Sequence, residues 1–229
     1  MFRKFLSIFK FKKKPPLKFL NNSLDIFFKN ISGVIHIGAN KGQERDLYAS
    51  YSLNVLWVEP IPDIYKKLKK NISKYPKQKA YQALLTDRDN QEITFKIANN
   101  SGQSSSILDL GQHKNIWPNI KFIKSIKLIS STLTSLIVSE KININDYQAL
   151  ILDTQGSELL ILKGSKDILR KFKYIKTEAA DFDAYINCCH LNDLSDFLKN
   201  YGFREIKKTK FISKENIGNY YDILYERSN

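Results

Sequence analysis

The sequence predicts an α/β fold on a mostly parallel, doubly wound sheet that closes in an antiparallel hairpin. Three observations carry this expectation. An apolar run, residues 34–37, ends in two glycines, Gly38 and Gly42, with a helix-compatible segment from Gln43. Two further apolar runs, 55–58 and 147–152, end in acids, Glu59 and Asp153. Strand-like and helix-like segments then alternate until about residue 200, where two strand-like stretches follow one another.

The elements follow in order. Residues 17–29 carry Leu20, Leu24, Phe27 and Phe28 at helical spacing, which predicts a helix lying against the sheet. A strand at 33–38, a helix at 43–52 and a strand at 54–58 come next. The helix at 62–74 starts on Pro62 and sets Ile64, Leu68 and Ile72 on one face, with lysines opposite. Residues 79–86 read as a third strand. Residues 91–97 alternate and read as a fourth, joined to it by the turn Asp87-Arg88-Asp89-Asn90. Residues 99–120 form a long polar loop, which Ile107, Leu108, Ile116 and Trp117 can pin. Loops of this length in a compact domain usually serve function, so it is expected to border the substrate pocket.

Residues 121–130 read as extended, and a short helix follows near 133–139. The run 147–152 is almost continuously apolar, as a strand covered on both faces requires. A helix over 157–169 and a strand over 172–177 ending in Glu178 come after it. A loop spans 179–192. The helix at 193–200 stops at Gly202, and strands at 203–212 and 219–226 finish the chain.

The 229 residues, 42 % hydrophobic, suffice for one well-filled core. The expected division is a basic tail at 1–16 and one domain at 17–229. The cysteines, Cys188 and Cys189, are adjacent and cannot staple a fold, which points to a reducing compartment. No run approaches the roughly 20 apolar residues of a membrane span, and lysines interrupt any secretory signal near the N-terminus. A cytoplasmic protein is expected.

The net charge is +14, and half of it falls within residues 1–20, which hold seven cations and no acid. Phe2, Phe5 and Phe9 share a helical face there before Pro15-Pro16 ends any helix. Such a segment can lie on an anionic membrane surface, contact another polyanion, or be a disordered lysine-rich tail. The first option would make the protein peripheral to the inner membrane face.

A glycine turn at a strand tip lets a ligand approach bare backbone and aims helix N-terminal N–H groups at it. An acid at the tip of the next strand suits the two hydroxyls of a ribose. Asn40 stands where the middle glycine of the dinucleotide fingerprint would be, so no pyrophosphate cradle is implied. An adenosine without phosphates fits better. His36, two residues before Gly38, reads either as a bonded core histidine or as a ligand contact.

Ligands in such sheets bind beyond the carboxyl ends of the strands. Asp153 and Glu178 end neighbouring central strands and are the candidate catalytic carboxylates. They could hold a divalent cation such as Mg²⁺, act as the general base, or merely cap helices and pair with lysine. His113, in the long loop, is a candidate for substrate contact or proton relay. His190 reads as a helix entry. No zinc spacing, Ser-His-Asp arrangement or P-loop lysine is legible.

The blocks Val34-Ile35-His36-Ile37-Gly38-Ala39-Asn40-Lys41-Gly42-Gln43-Glu44, Trp57-Val58-Glu59-Pro60, Leu152-Asp153-Thr154-Gln155-Gly156-Ser157-Glu158, Leu162-Lys163-Gly164 and Thr177-Glu178 resemble the FkbM-type methyltransferases. The order and spacing match from about residue 31 to 205. The Ser104-Ser105-Ser106 loop and Thr132-Leu133 look similar too. The resemblance implies a class I, Rossmann-like enzyme with a seven-stranded sheet. It also implies S-adenosylmethionine as cofactor and a hydroxyl acceptor, often on a sugar or secondary metabolite.

Carried over, the turn from Gly38 through Ala39 and Asn40 to Gly42, with Glu44 after it, would hold the methionine part. Glu59 and Pro60 would sit at the ribose, and Leu85 with Thr86 beside the adenine. Asp153 and Glu178 would face the acceptor, Asp153 also bordering the cofactor. His36 replaces an acid common in class I enzymes, which leaves the cofactor's amino group to Asn40 or a water. The expected activity is O-methylation of a saccharide or small-molecule hydroxyl, in polysaccharide biosynthesis. An RNA methyltransferase and a non-catalytic binding module are the alternatives. Asp153-Thr154-Gln155-Gly156 lacks the Pro-Pro-aromatic signature of base-methylating enzymes, which makes nucleic acid an unfavoured partner. A homo-oligomer is compatible with the sequence.

Overall fold

A computed structural model describes residues 25–228. The basic segment 1–16 and most of the helix expected at 17–29 lie outside the described residues. The described end of that helix, Ile26–Asn30, is a 3-10 turn that buries Phe27 and Phe28.

The chain then runs through β1 (Gly33–Ile37), α1 (Arg45–Ser50), β2 (Asn54–Val58), α2 (Pro62–Ile72) and β3 (Gln78–Tyr81). Next come β4 (Leu84–Leu85), β5 (Glu92–Ala98), α3 (His113–Ile116), β6 (Phe122–Ser131) and α4 (Leu133–Ser139). It finishes with β7 (Ala149–Leu152), α5 (Glu158–Lys163), β8 (Tyr174–Ala180), α6 (Leu191–Asn200), β9 (Phe203–Lys214) and β10 (Gly218–Arg227).

Seven strands form one sheet in the order β3-β2-β1-β7-β8-β10-β9. Five are parallel, and β10 runs antiparallel to both its neighbours. This is the Rossmann-like class with a C-terminal antiparallel hairpin. The chain leaves β1 in one direction through β2 and β3, then crosses back to β7 on its other side. The crevice at that reversal is where such sheets bind ligands.

Successive strand residues point to opposite faces, and the core divides accordingly. Ile35, Ile37, Leu56, Leu150 and Ile175 pack with Leu133, Ile161, Leu194 and Leu198 of α4, α5 and α6. Val34, Val55, Trp57 and Ile151 pack on the other face with Tyr48, Leu68 and Ile72 of α1 and α2. Helices therefore cover both faces.

The structure corrects the middle of the chain. Residues 79–86 are two strands, and β4 pairs with β6 rather than joining the large sheet. The strand at 92–98 pairs with β6, not with its predecessor, giving a separate sheet in the order β4-β6-β5. Alternation marks a strand but does not choose its partner. This small sheet sets Leu84 and Phe95 against Ile61 and Ile64 at the start of α2. The helix expected over 157–169 also ends early, at Lys163, and continues as turns.

The hairpin edge, β9, carries Lys207, Lys208, Lys210 and Lys214. The opposite edge, β3, has four residues. Among the described residues no helix is long and apolar enough to cross a membrane.

Candidate active site

A cavity of about 320 Å³ opens over the carboxyl ends of β1, β2, β7 and β8. At one end lie Gly38, Ala39, Asn40 and Glu59; toward the other lie Asp153, Glu178, His113 and Tyr220.

The turn after β1 is closed on itself. The Gly38 and Ala39 N–H groups both donate to the Val58 carbonyl at 3.0 Å. Asn40 N–H donates to Glu59 Oε2 at 2.8 Å, and Gly42 N–H to the Ala39 carbonyl at 2.9 Å. These amides are therefore not aimed at a ligand, unlike a phosphate cradle. Gly38 has φ +84, and a Cβ there would stand 1.8 Å from the Asp153 carbonyl oxygen. The glycine lets β1 and β7 release their chains side by side. Gly42 stands back from the cavity wall: a Cβ there would meet Leu68 of α2 at 2.8 Å, so this glycine serves packing.

Asn40 takes a left-handed conformation (φ 43), which asparagine tolerates better than most residues. Its Oδ1 already accepts from two donors, Lys41 N–H at 2.9 Å and Gln43 Nε2 at 3.4 Å, and Nδ2 donates to the Ser101 carbonyl at 3.1 Å. It ties the long loop to the turn, which removes it as the expected partner of a cofactor amino group.

Glu59 is 4 % exposed at the tip of β2. Oε1 accepts from Ile61 N–H and Oε2 from Asn40 N–H, each at 2.8 Å. Each oxygen keeps a lone pair for a further donor, so the carboxylate can receive a vicinal diol. Burial pushes its pKa up to about 7, against the pull of those two amides. Pro60, Ile61, Leu84, Leu85 and Phe95 form an apolar wall beside it. Thr86 lies behind that wall, its hydroxyl donating to the Arg88 carbonyl.

His36 is buried between Tyr48, whose hydroxyl lies 2.9 Å from Nδ1, and the stacked ring of Trp57. Burial lowers its pKa to about 4, so it is neutral. It reaches the cavity floor, as does half-buried Glu44, whose carboxyl burial raises.

At β7, Leu152 pairs with Thr177, so the next residues, Asp153 and Glu178, are neighbours. Strand β8 runs on to Ala180, which places Glu178 inside the strand rather than at its tip. Asp153 is rooted deep in the fold, yet its side chain is open to the cavity. Deep packing raises its pKa, as does the charge of Glu158, while Gln155 and His36 oppose the rise. Burial, and then the charge of Asp153, raise Glu178 well above the carboxylate range. The pair is poised for one carboxylate and one carboxylic acid.

The turn after β7 is under backbone strain at Gln155 (φ 58). Glu158 holds it by accepting from the N–H groups of Thr154 and Gly156. Gln155 donates to Asp153 Oδ1 at 2.8 Å and accepts from the Tyr185 hydroxyl at 2.9 Å. Asp153 is thus oriented by Gln155, which itself lines the cavity.

The long loop does border the cavity through Asn100, Gly102, Gln103, Ser104, Ser105, Trp117 and Ile120. Ser106 Oγ donates to the Gln155 carbonyl at 2.8 Å, so the loop is fastened to both strand-tip turns. His113 begins α3, its Nδ1 lying 2.8 Å from the Tyr220 hydroxyl. His190 caps α6, as expected, through a capping box with Asp193.

Four carboxylates line the cavity, Glu44, Glu59, Asp153 and Glu178, and no lysine or arginine does among the described residues. Nor do the described residues contain a group of three or more acids, histidines or cysteines placed to hold a metal. Asp153 and Glu178 lack a third ligand, so the Mg²⁺ expectation finds no support. Sequence reasoning missed Ile61, Leu84, Phe95, Tyr220 and Phe211 on this cavity; all are apolar or aromatic residues whose types carry no chemical signature.

Comparisons agree with this geometry. The methyltransferase FkbM domain profile matches residues 36–205. The 2-O-methyltransferase NoeI of Sinorhizobium fredii is 23 % identical over 176 residues, covering 73 % of this chain and 71 % of NoeI. Among solved structures, TrmK of M. capricolum, bound to S-adenosyl-homocysteine, superposes with a TM-score of 0.51 at 11 % identity, covering 89 % of this chain and 67 % of TrmK. The METTL16 methyltransferase domain gives 0.52 at 11 % identity, covering 90 % and 65 %. This chain therefore spans about two thirds of each of those structures. The profile matches most of the chain, and the sheet has the matching architecture: the chain belongs to the FkbM family of S-adenosylmethionine-dependent methyltransferases.

Proposed function

We propose that this enzyme methylates a hydroxyl oxygen of a sugar or related metabolite. The observation that carries this reading is that a diol-ready carboxylate, Glu59, and a carboxylate pair, Asp153 and Glu178, open into one cavity. The name of NoeI, a 2-O-methyltransferase, supports oxygen as the acceptor.

S-adenosylmethionine, when bound, supplies an electrophilic methyl group next to its sulfonium. Four carboxylates and no basic side chain favour such a cationic ligand. Glu59 would receive the ribose hydroxyls, and the wall of Ile61, Leu84, Leu85 and Phe95 would cover the adenine. Glu44, half-buried at the cavity, is the carboxylate we assign to the cofactor's ammonium, in place of Asn40.

An alcohol is a poor nucleophile until its proton leaves, and a positioned carboxylate is the usual acceptor for it. Asp153 takes that role, held by Gln155 and facing the cavity. Glu178, with its strongly raised pKa, remains protonated beside it. That arrangement places one negative charge, not two, next to the acceptor oxygen.

The test is calorimetric titration with S-adenosylhomocysteine, followed by transfer of a labelled methyl group to a glycan extract. Binding together with alkali-stable label in saccharide is expected. Label in RNA alone, or folded protein that ignores S-adenosylhomocysteine, would overturn the reading.

A further inference from the structure

The end of the cavity farthest from Glu59 is built from aromatic rings. Trp117 lies 5.3 Å from Tyr220 at 53°, and Phe211 lies 5.8 Å from Tyr220 at 33°. His113 closes the corner, 4.5 Å from Trp117.

Phe211 is there because of a fault in the hairpin. Tyr220 pairs with Ile212 and Tyr221 with Lys210, so Phe211 has no partner across the ladder. A bulge of this kind re-aims a side chain. The ring lines the cavity yet is 40 % exposed, a large apolar surface left at its mouth.

His113 backs this wall from within the fold. It is 3 % exposed, and its Nε2 is the one buried side-chain polar atom without a hydrogen-bond partner among the described residues. Such an orphan costs about 1–3 kcal/mol unless something meets it. Burial lowers the His113 pKa to about 4, so the ring is neutral at pH 7.

We propose that the acceptor is an uncharged pyranose ring, stacked by its C–H face on the wall of Phe211, Tyr220 and Trp117. This deepens the proposed O-methyl transfer and rests on it. C–H bonds carry slight positive charge and the faces of aromatic rings slight negative charge, so the contact is attractive beyond its buried area. The rings are mutually tilted and form no parallel slot for a flat base. Asp153, with no lysine or arginine lining the cavity among the described residues, disfavours a phosphorylated or uronic acid ring at the point of transfer.

The experiment titrates the full chain, saturated with S-adenosylhomocysteine, with a panel of neutral methyl hexopyranosides and their 6-carboxylate counterparts. Tryptophan emission reports binding, because Trp117 sits on the wall whereas the other tryptophan, Trp57, is fully buried. At least one neutral glycoside is expected to shift the emission, with its carboxylate counterpart at least tenfold weaker. Phe211→Ala should weaken the neutral glycoside about tenfold, the scale of one lost aromatic contact, and leave S-adenosylhomocysteine affinity within twofold. Phe211→Tyr should restore binding. Silence from the whole panel while S-adenosylhomocysteine binds, equal binding of neutral and acidic rings, or no effect of Phe211→Ala would overturn this inference alone. Failure to bind S-adenosylhomocysteine would instead remove the reading beneath it.

Discussion

The two ends of the cavity are built on opposite principles. The Glu59 end is framed by two short stretches, 36–44 and 59–61, locked by backbone amides and walled by Leu84, Leu85 and Phe95. The other end gathers His113, Trp117, Asp153, Glu178, Phe211 and Tyr220 from loop, strands and hairpin. The first is a rigid local device. The second depends on the whole sheet being assembled.

If the two ends are separable, damage at one should spare the other. The largest separation is expected from Asp153→Asn. Methyl transfer should fall about 10²–10⁴-fold, the usual weight of a general base, with S-adenosylhomocysteine affinity changed by no more than about threefold. Parallel loss of both in calorimetry and turnover would mean the ends act as one. Gly38→Ala should break the separation deliberately, because its Cβ would enter the Asp153 carbonyl. A stability loss of roughly 3 kcal/mol or more is expected in chemical denaturation, with binding and turnover lost together.

Glu59 sharpens the contrast through pH. Its folded value near 7 lies above the ordinary 4.5. Stability from the neutral carboxyl is therefore complete below about pH 4.5 and lost as pH rises through about 7. Ribose hydroxyls prefer the ionised form, so S-adenosylhomocysteine should bind roughly tenfold tighter at pH 8 than at pH 6. Glu59→Gln should bind weakly with a flat profile, and a flat wild-type profile would deny the ribose role. The smallest effect is expected from Tyr185→Phe, which removes the hydroxyl bonded to Gln155. A few-fold fall in kcat with unchanged S-adenosylhomocysteine affinity would fit a group that orients Asp153 at one remove.

Legibility in the sequence follows the same divide. The parallel sheet, the closing hairpin, the Gly38 turn and Glu59 were all readable, since each is encoded within about ten residues. Asp153 was readable as a strand-tip acid; Glu178 was readable as an acid of the next strand, though it lies inside β8, and β7–β8 pairing brings the two together. The β4-β6-β5 sheet was not, because its partners lie 24 to 46 residues apart and their alternation fits several pairings. Gly42 was misread because a glycine needed for helix packing looks the same as one needed by a ligand. Phe211 was invisible, since a bulge is a property of two strands and not of either sequence.

The rims of the large sheet carry a last consequence. A four-residue strand at one border and a lysine-studded strand at the other both resist the addition of a foreign strand, the first by brevity and the second by repulsion. Neither border of the large sheet therefore invites the edge-to-edge growth that leads to fibrils.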